Sequence, residues 1–381
     1  MAKSDQINFD VIVVGLGAMG SGIAFQIARS GRRILGLDRY RPPHAHGSSH
    51  GHTRVIRHAY AEDERYIPYV RRAHDCWLEL ERDSGETLFI ETGIVLMGDP
   101  QSDFIKGSCA GADRHGIEYE RLDRETISRR WPALRTDPGM CGVWEPAAGV
   151  LRVEPCIETL LAAAVNHGAV LNFNEVVETW SAAADGVEVR AAGGTYRADS
   201  LVIAAGPWCR SLLPDLDLPL SVERQVQLWF EPAANPQLFT LERCPIYAWK
   251  HGEGGVFYGF PDLGHGVKVA HHHGGAATDP DELTREINGD DISSVRCLLK
   301  RLLPDANGTL KDHDVCMYTN TPDLNFLIDR HPEFPHVLIV GGCSGHGFKF
   351  APVVGEIVRD LLADESNDSG LEMFSLSRLL Q

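Results

Sequence analysis

Apolar and polar positions near the start of the chain follow a pattern that predicts a β-strand, a helix and a second strand. An apolar run at 10–14 enters the turn Gly15-Leu16-Gly17-Ala18-Met19-Gly20. Small and aliphatic residues then recur at helical spacing as far as Gly31, a residue type that commonly ends helices. A second apolar strand, 33–37, leads into Asp38.

The three glycines of this unit form a GxGxxG motif in which each has a separate physical role. Gly15 permits a tight turn, Gly17 lets the backbone approach a pyrophosphate, and Gly20 allows close contact between helix and strand. Asp38 follows at the position where a carboxylate accepts hydrogen bonds from an adenosine ribose. The unit predicts a bound dinucleotide, and by itself it does not distinguish NAD from FAD.

A long loop rich in glycine, serine and histidine, 42–57, stands where a Rossmann fold usually continues into a helix. It ends in Arg54 and Arg57, and such a loop can carry cations to the reactive end of a long cofactor. The alternative is a metal site formed by the histidines of this region, which are His44, His46, His50, His52 and His58. Their spacing matches no common zinc pattern, and no cysteine or carboxylate lies between them. We therefore expect no metal site.

Periodicity predicts the elements that follow. They are an amphipathic helix over 62–84, strands within 88–97, a loop over 145–151 and a helix from about 153 to 167. An apolar strand then leads to Gly206, and this pattern is typical of flavin-dependent Rossmann folds, where the strand passes the cofactor a second time.

Residues 220–275 are aromatic, β-branched and rich in turn residues, and we expect them to form a substrate sheet. The pattern predicts a meander of strands 244–250, 256–260 and 267–272, with the first turn at 251–255. Strand alternation places Lys268 and His272 on one face, about 13 Å apart, where they could flank a flat ring system. The alternative is a lysine at a sheet edge beside a solvated strand end.

The composition excludes some classes of function. The chain has 381 residues, enough for two domains, and 53 acidic against 36 basic side chains give a formal net charge of −17. This balance argues against nucleic acid binding, which needs a basic face. No apolar stretch reaches the length of a membrane span, and Met1 to Gln6 carry no apolar signal core. The nine cysteines show no CxxC spacing, so we expect reduced thiols and a cytoplasmic protein.

A second glycine-rich turn lies near the C-terminus, and a cysteine lies shortly before it. The turn reads Gly341-Gly342-Cys343-Ser344-Gly345-His346-Gly347-Phe348-Lys349-Phe350, and the cysteine stands in Cys316-Met317-Tyr318-Thr319. With the segments 51–60 and Tyr258-Gly259-Phe260-Pro261, these motifs occur in the order and spacing of one flavoprotein family. Over nearly its whole length the chain resembles the amine-oxidising family of monomeric sarcosine oxidase and N-methyl-tryptophan oxidase.

The resemblance implies an α/β fold in which a Rossmann-like FAD-binding domain is joined to a second, mostly antiparallel substrate domain. We expect the FAD domain to comprise 1–85, 150–220 and 315–381, and the substrate domain 86–149 and 221–314. The resemblance also implies oxidation of a secondary N-methyl amino acid, such as sarcosine, to an imine. The imine is hydrolysed to aldehyde and amine, and O₂ is reduced to H₂O₂. We expect a monomer whose partners are a small amino acid and O₂.

The resemblance also assigns roles to residues. Cys316 would carry an 8α-S-cysteinyl bond to FAD, Lys268 would activate oxygen, and Arg57 with Lys349 would hold the substrate carboxylate. Arg54, Tyr258 and His272 would act at the reacting centre, and Tyr318 and His346 would contact the substrate. The residues expected to bind FAD are Gly15, Gly17, Gly20, Asp38, Ser48, Thr53, Gly206, Cys316, Gly345, Gly347, Phe348 and Lys349.

Three departures from the family pattern put the substrate in doubt. His52 replaces the usual aspartate, Cys343 replaces a larger apolar residue, and Ala248 is smaller than its usual counterpart. Oxidation of a cyclic or primary amino acid, such as proline, pipecolate or glycine, is therefore an alternative. A non-catalytic flavin-binding subunit of a dehydrogenase and an NAD-dependent dehydrogenase are further alternatives, and Cys316 and the strand before Gly206 argue against the last.

Overall fold

The computed structural model describes residues 9–184, 186–251, 255–363 and 370–380. The strands in these ranges are β1 (Phe9–Val14), β2 (Ile34–Asp38), β3 (Thr53–Ile56), β4 (Phe89–Glu91), β5 (Ile94–Gly98), β6 (Glu120–Leu122), β7 (Cys141–Glu145), β8 (Gly149–Arg152), β9 (Val170–Phe173), β10 (Val177–Ala183), β11 (Gly186–Ala191), β12 (Gly194–Ile203), β13 (Ser221–Phe230), β14 (Ile246–His251), β15 (Gly255–Phe260), β16 (Val267–His272), β17 (Leu310–Asn320), β18 (Leu327–Arg330) and β19 (Val337–Gly341). The helices are α1 (Ala18–Arg29), α2 (Ile67–Ser84), α3 (Asp103–His115), α4 (Arg124–Arg130), α5 (Val153–Asn166), α6 (Cys209–Leu212), α7 (Gly289–Leu302) and α8 (Ala351–Leu362).

The first sheet has a parallel centre in the order β9, β2, β1, β12, β19. The antiparallel hairpin of β10 and β11 extends it beside the first half of β12, and β18 pairs with β19 at the far edge. Its strands are buried apolar runs because helices α1, α5 and α8 cover one face. The carboxyl ends of the parallel strands meet at one edge, which is where ligands bind in such sheets.

Helices α1 and α8 bring the two glycine-rich turns together. A Cβ on Gly355 would lie 2.3 Å from the Gly22 carbonyl oxygen, so the two helices approach more closely than side chains would allow. The residues just before each helix therefore meet at the same edge of the first sheet.

The second sheet runs in the order β17, β13, β16, β15, β14, β5, β7, β6. Only the pairing of β14 with β5 is parallel among these neighbours. A third, three-stranded sheet has the order β3, β8, β4, and its strand β3 carries the end of the 42–57 loop. The expected fold class, α/β with a mostly antiparallel second unit, is confirmed.

Two element predictions were inexact, for local reasons. The helix predicted over 62–84 begins at Ile67, because Asp63 caps a 3-10 turn at Glu64–Tyr66 first, and Pro68 then suits the first turn of the helix. The loop predicted over 145–151 reduces to 146–148, because β7 runs to Glu145 and β8 begins at Gly149.

The meander of β14, β15 and β16 is confirmed. Residues 252–254 of its first turn lie outside the described part of the chain. So do residues 1–6, in which we expected no apolar signal core. The boundary predicted at residue 315 falls inside β17, which pairs with β13 along its length. The strand that carries Cys316 therefore belongs to the second sheet. All nine cysteines are free thiols. No helix of the described ranges is long and apolar enough to cross a bilayer.

Candidate active site

A cavity of about 760 Å³ extends from the carboxyl edge of the first sheet to the face of the second sheet. Most of the residues singled out from the sequence line it, namely Gly15, Gly17, Asp38, Ser48, Arg54, Arg57, Gly206, Tyr258, His272, Tyr318, Gly345, His346, Gly347, Phe348 and Lys349. Four others, Gly20, Thr53, Lys268 and Cys316, are not part of this lining, and the position of each is described below.

The turn before α1 is shaped to receive an anionic group. Gly15 has a φ of +89°, and a Cβ there would lie 2.5 Å from the Ala204 carbonyl oxygen. Gly17 directly precedes α1 and has open space around it, and no side chain caps the first amides of the helix. Gly20 lies inside the turn, where a Cβ would stand 1.7 Å from the Gly15 carbonyl oxygen. Free amides at a helix N-terminus bind phosphate, so these residues fit a dinucleotide.

The carboxylate of Asp38 stabilises the same turn. Its carboxylate accepts hydrogen bonds from the backbone amides of Leu16 at 2.6 Å and Tyr40 at 2.8 Å. Beside it, Asp281 accepts from Arg39 at 2.7 Å and from the Trp208 indole at 3.0 Å, so the segment after β16 closes over this end of the cavity. This bridge could not be predicted from the sequence, because Asp281 lies far along the chain in an irregular segment.

The 42–57 loop is held by its own arginine. Arg54 donates to the Ser48 carbonyl oxygen and to the Thr53 carbonyl oxygen, each at 2.8 Å. The histidines of the region point to different partners: His44 and His46 pack on Tyr40, and His52 stacks on His265. No group of three or more His, Cys, Asp or Glu in the described ranges is arranged to hold a metal ion.

Lys268 lies against the backbone of this loop. Its Nζ donates to the Gly51 carbonyl oxygen at 2.6 Å and to the Thr53 carbonyl and hydroxyl oxygens at 3.2 and 3.0 Å. Burial, helped by the Arg54 guanidinium, holds the pKa of Lys268 well below its usual value. Three acceptors around one amine favour the ammonium form, which can donate to all of them. Because the geometry satisfies every donor, we regard the charged form as the resting state.

Cys316 is buried on β17, close enough to Arg54 and Lys268 to interact with both charges. Burial raises the pKa of its thiol, while the positive charges of Arg54 and Lys268 act in the opposite direction. Tyr318 lies two residues further on the same strand, so both side chains point to the same face. The thiol is not itself part of the cavity lining, and the nearby positive charges counteract only part of the rise in its pKa that burial causes.

An aromatic group of Tyr258, His272 and Tyr318 faces the cavity from three strands of the second sheet. His272 Nδ1 lies 3.2 Å from the Tyr318 hydroxyl, and the His272 ring meets Tyr258 edge-on. Burial, with some repulsion from His273, lowers the pKa of His272 to about 3, so the ring is neutral near pH 7. The group offers hydroxyls and a neutral imidazole, and no fixed charge.

Two cations, Arg57 and Lys349, meet at the opposite side of this part of the cavity. Arg57 Nη2 donates to both carboxylate oxygens of Glu62, at 2.7 and 2.6 Å. Lys349 Nζ donates to the His346 carbonyl oxygen at 2.8 Å, and burial together with Arg57 lowers its pKa to about 7. Glu62 is the shared counter-ion: burial would raise its pKa, but Arg57 chiefly, then His346 and Lys349, hold it well below the usual value. Two buried cations and one acid suit the binding of a second carboxylate.

A chain of hydrogen bonds links His346, Tyr60 and Lys349. The Leu324 carbonyl oxygen can only accept, so His346 Nε2 donates to it at 3.0 Å, and Nδ1 accepts from the Tyr60 hydroxyl at 2.6 Å. The Tyr60 oxygen in turn accepts from Lys349 at 3.4 Å. Burial, and then Lys349, lowers the pKa of His346 to about 4, which keeps the imidazole neutral.

A buried carboxylate fixes the backbone beside Arg57. Glu145 accepts from the amides of His58 at 2.7 Å and Ala59 at 2.9 Å, and from His58 Nδ1 at 2.8 Å. His74 Nδ1 completes the chain at 2.9 Å from His58 Nε2. Roles for Glu62, Tyr60 and Glu145 were not predicted from the sequence. The acidic run 62–64 after the arginines was an available signal for Glu62, whereas Glu145 is remote in sequence.

Comparison with known proteins gives a family context for this cavity. Residues 10–361 match the family model described as FAD dependent oxidoreductase. Among curated proteins, the chain is 39% identical to monomeric sarcosine oxidase from Streptomyces avermitilis, over 97% of this chain and 98% of that protein. It is 35% identical to N-methyl-L-tryptophan oxidase from Salmonella enteritidis, over 98% of this chain and all of that protein.

Solved structures give the same context. NikD, described as an unusual amino acid oxidase essential for nikkomycin biosynthesis, is 25% identical and superposes with a TM-score of 0.84, covering 97% of each chain. The L-proline dehydrogenase from P. horikoshii, at 19% identity, reaches the same TM-score, and that likeness concerns the fold alone.

Proposed function

The chain belongs to the FAD-dependent oxidoreductase family, and from this premise we propose that it oxidises secondary amino acids carrying an N-methyl group. In the proposed reaction, the N-methyl amino acid, O₂ and water give the primary amino acid, formaldehyde and H₂O₂, by way of an imine. FAD-dependent oxidation at a CH–NH group is common to this chain and its relatives. Sarcosine and N-methyltryptophan are the substrates that the relatives' names give.

The observation that carries the proposal is the pair of buried cations beside a neutral aromatic group. Arg57 and Lys349 would bind the substrate carboxylate, which places the adjoining amine towards Tyr258, His272 and Tyr318. Because this second group carries no fixed charge, it does not stabilise a protonated amine, and the neutral amine is the form that can be oxidised. Burial of both cations strengthens their attraction for an anion.

FAD, when bound, supplies the two-electron acceptor for the amine and passes the electrons to O₂. The GxGxxG turn and the turn at Gly345 and Gly347 would hold its phosphates and ring. We propose that Cys316 forms a thioether to the flavin; the charges of Arg54 and Lys268 oppose the rise in its pKa that burial causes. We propose that Lys268, fixed by three acceptors behind the loop, stabilises negative charge that develops on oxygen.

The test of carboxylate anchoring uses Arg57→Ala. Loss of one member of a buried charge pair should weaken the binding of an N-methyl amino acid by about 2–4 kcal/mol. This loss should be measured as a higher KM. Arg65→Ala is the matched control, because Arg65 pairs with Asp63 on the surface and its side chain is 60% exposed. Equal loss in both variants, or none in Arg57→Ala, would contradict the assignment.

The test of substrate class is a panel of N-methyl, cyclic and primary amino acids with peroxide and formaldehyde measured together. The proposal expects equal amounts of both products from N-methyl amino acids. Formation of peroxide without formaldehyde from proline or pipecolate, at rates greater than those with N-methyl amino acids, would favour oxidation of a cyclic amino acid instead.

We also propose a cytoplasmic monomer, for which light scattering should give a mass near 41.9 kDa.

A further inference from the structure

Beyond the aromatic group, the cavity continues into a slot over the second sheet. Its floor is Ala248 of β14, which pairs with Tyr258 of β15 on one side and with Leu96 of β5 on the other. Directly paired residues share a face of a sheet, so the three side chains stand in one row. Strands lie about 4.8 Å apart, so Tyr258 and Leu96 are separated by about 10 Å with a single methyl group between them.

The walls of the slot are apolar, and its far end is charged. Ile94, Ile246 and Val256 also line the cavity here, as does Phe104 of α3. Ile94, Leu96, Ile246 and Ala248 also belong to one buried apolar cluster, so this floor is apolar and closely packed from beneath. Lys250 and Asp103 line the cavity beyond these residues and end the apolar surface.

We propose that this slot binds the substrate side chain, and that the preferred substrates are N-methyl amino acids with a bulky, uncharged side chain the size of a benzyl or branched alkyl group. The inference rests on the proposed function, because a carboxylate held at Arg57 and an amine at Tyr258 direct the Cα substituent along the sheet. A substrate without a side chain leaves this apolar surface uncovered, whereas a ring covers it and gains the free energy of burial. The charged residues at the far end limit the length of the side chain.

The experiment compares kcat/KM for racemic N-methylphenylalanine and for N-methylglycine. The wild type should favour the aromatic substrate by about 10- to 100-fold, the range that occupancy of a hydrophobic pocket gives. Ala248→Met places a flexible apolar chain in the slot and should lower this ratio by about tenfold or more, mainly through a higher KM for the aromatic substrate. Ala182→Met is the matched control: Ala182 is a partly buried alanine on β10 of the first sheet, and the ratio should not change.

Two further measurements keep the outcome decisive. Ala248→Val makes a smaller change and replaces Ala248→Met if the latter does not fold. Binding of 3-phenylpropionate and of acetate to the oxidised holoenzyme, followed by flavin absorbance, tests the slot without turnover: the wild type should bind the former at least about tenfold more tightly, and the Ala248 variants should lose that advantage.

The possible failures are distinguishable. Equal affinity for the two carboxylates in the wild type, or a substrate ratio unaffected by Ala248→Met and Ala248→Val, overturns the slot and leaves the amine oxidase intact. Absence of turnover with every N-methyl amino acid, together with the expected preference for 3-phenylpropionate, overturns the proposed substrate class and supports the slot.

Discussion

Replacement of Glu62 by Gln should tighten the binding of carboxylate ligands. In the structure, Glu62 takes both hydrogen bonds from Arg57 Nη2 that an incoming carboxylate would need, so ligand and side chain compete for one guanidinium. The variant keeps the shape of the side chain and can keep one hydrogen bond, but it removes the charge. The ligand then displaces a neutral partner in place of an anion.

The magnitude follows from the exposure of the pair. A hydrogen bond between charged groups contributes about 1.5–3 kcal/mol, against about 1 kcal/mol for a neutral one. The Arg57 side chain is 9% exposed but that of Glu62 is 37% exposed, so solvent screening reduces the difference to about 1 kcal/mol. Propionate should therefore bind about fivefold more tightly to Glu62→Gln.

The protonation state of Lys349 determines the pH range over which this assay should be run. Glu62 raises the pKa of Lys349, so the variant loses part of the lysine charge near neutrality. Titration of flavin absorbance with propionate at several pH values from about 5.5 to 7 separates the two effects, because the loss of lysine charge grows as the pH rises whereas the loss of the Glu62 charge does not. Propionamide, which has no charge, should bind equally to both.

Glu64→Gln is the control for net charge, because Glu64 pairs with Arg114 at the surface, 2.8 Å away. It should bind propionate as the wild type does. Unchanged propionate affinity in Glu62→Gln would refute the competition, and an equal gain in Glu64→Gln would attribute it to net charge alone.

Three other predictions concern the cofactor, oxygen and pH. Cys316→Ser should release its flavin into the supernatant on acid precipitation, whereas Cys297→Ser, at an exposed cysteine, should keep it in the pellet; a yellow Cys316→Ser pellet would exclude the thioether. Lys268→Met should slow reoxidation of the reduced protein by air about 10²–10³-fold, while its anaerobic reduction by substrate changes little. The surface variant Lys311→Met should show wild-type rates in both half-reactions. Reoxidation of Lys268→Met at the wild-type rate would show that Lys268 is structural. Because the pKa of Lys349 is about 7 in the free protein and a bound carboxylate raises it, propionate should bind most tightly below pH 7 and weaken above it; pH-independent affinity would place the lysine charge outside the binding site.

The sequence predicted those parts of the fold that depend on local periodicity. The βαβ opening to Asp38 and the meander ending at His272 both follow from regular apolar spacing and turn residues. The α2 start at Ile67 was missed because the capping of a 3-10 turn by Asp63 competes with helix propagation.

Contacts between remote segments could not be read from the sequence. The slot depends on the parallel pairing of Ala248 with Leu96, which sequence spacing does not encode. The pairing of Arg57 with Glu62 depends on which of three successive acids turns inwards. The fixing of that segment by Glu145 joins two elements far apart in the chain.

The central claim is that a carboxylate anchored by Arg57 and Lys349 presents an N-methyl amine to the flavin. The most direct test is anaerobic mixing of the purified holoenzyme with racemic N-methylphenylalanine and, separately, with N-methylphenethylamine, its decarboxylated counterpart, while flavin absorbance is followed. The account predicts that the amino acid bleaches the flavin at concentrations about 30-fold or more below those the amine requires, as expected when a buried charge pair is lost. Equal bleaching by both compounds, or none by the amino acid, would contradict it.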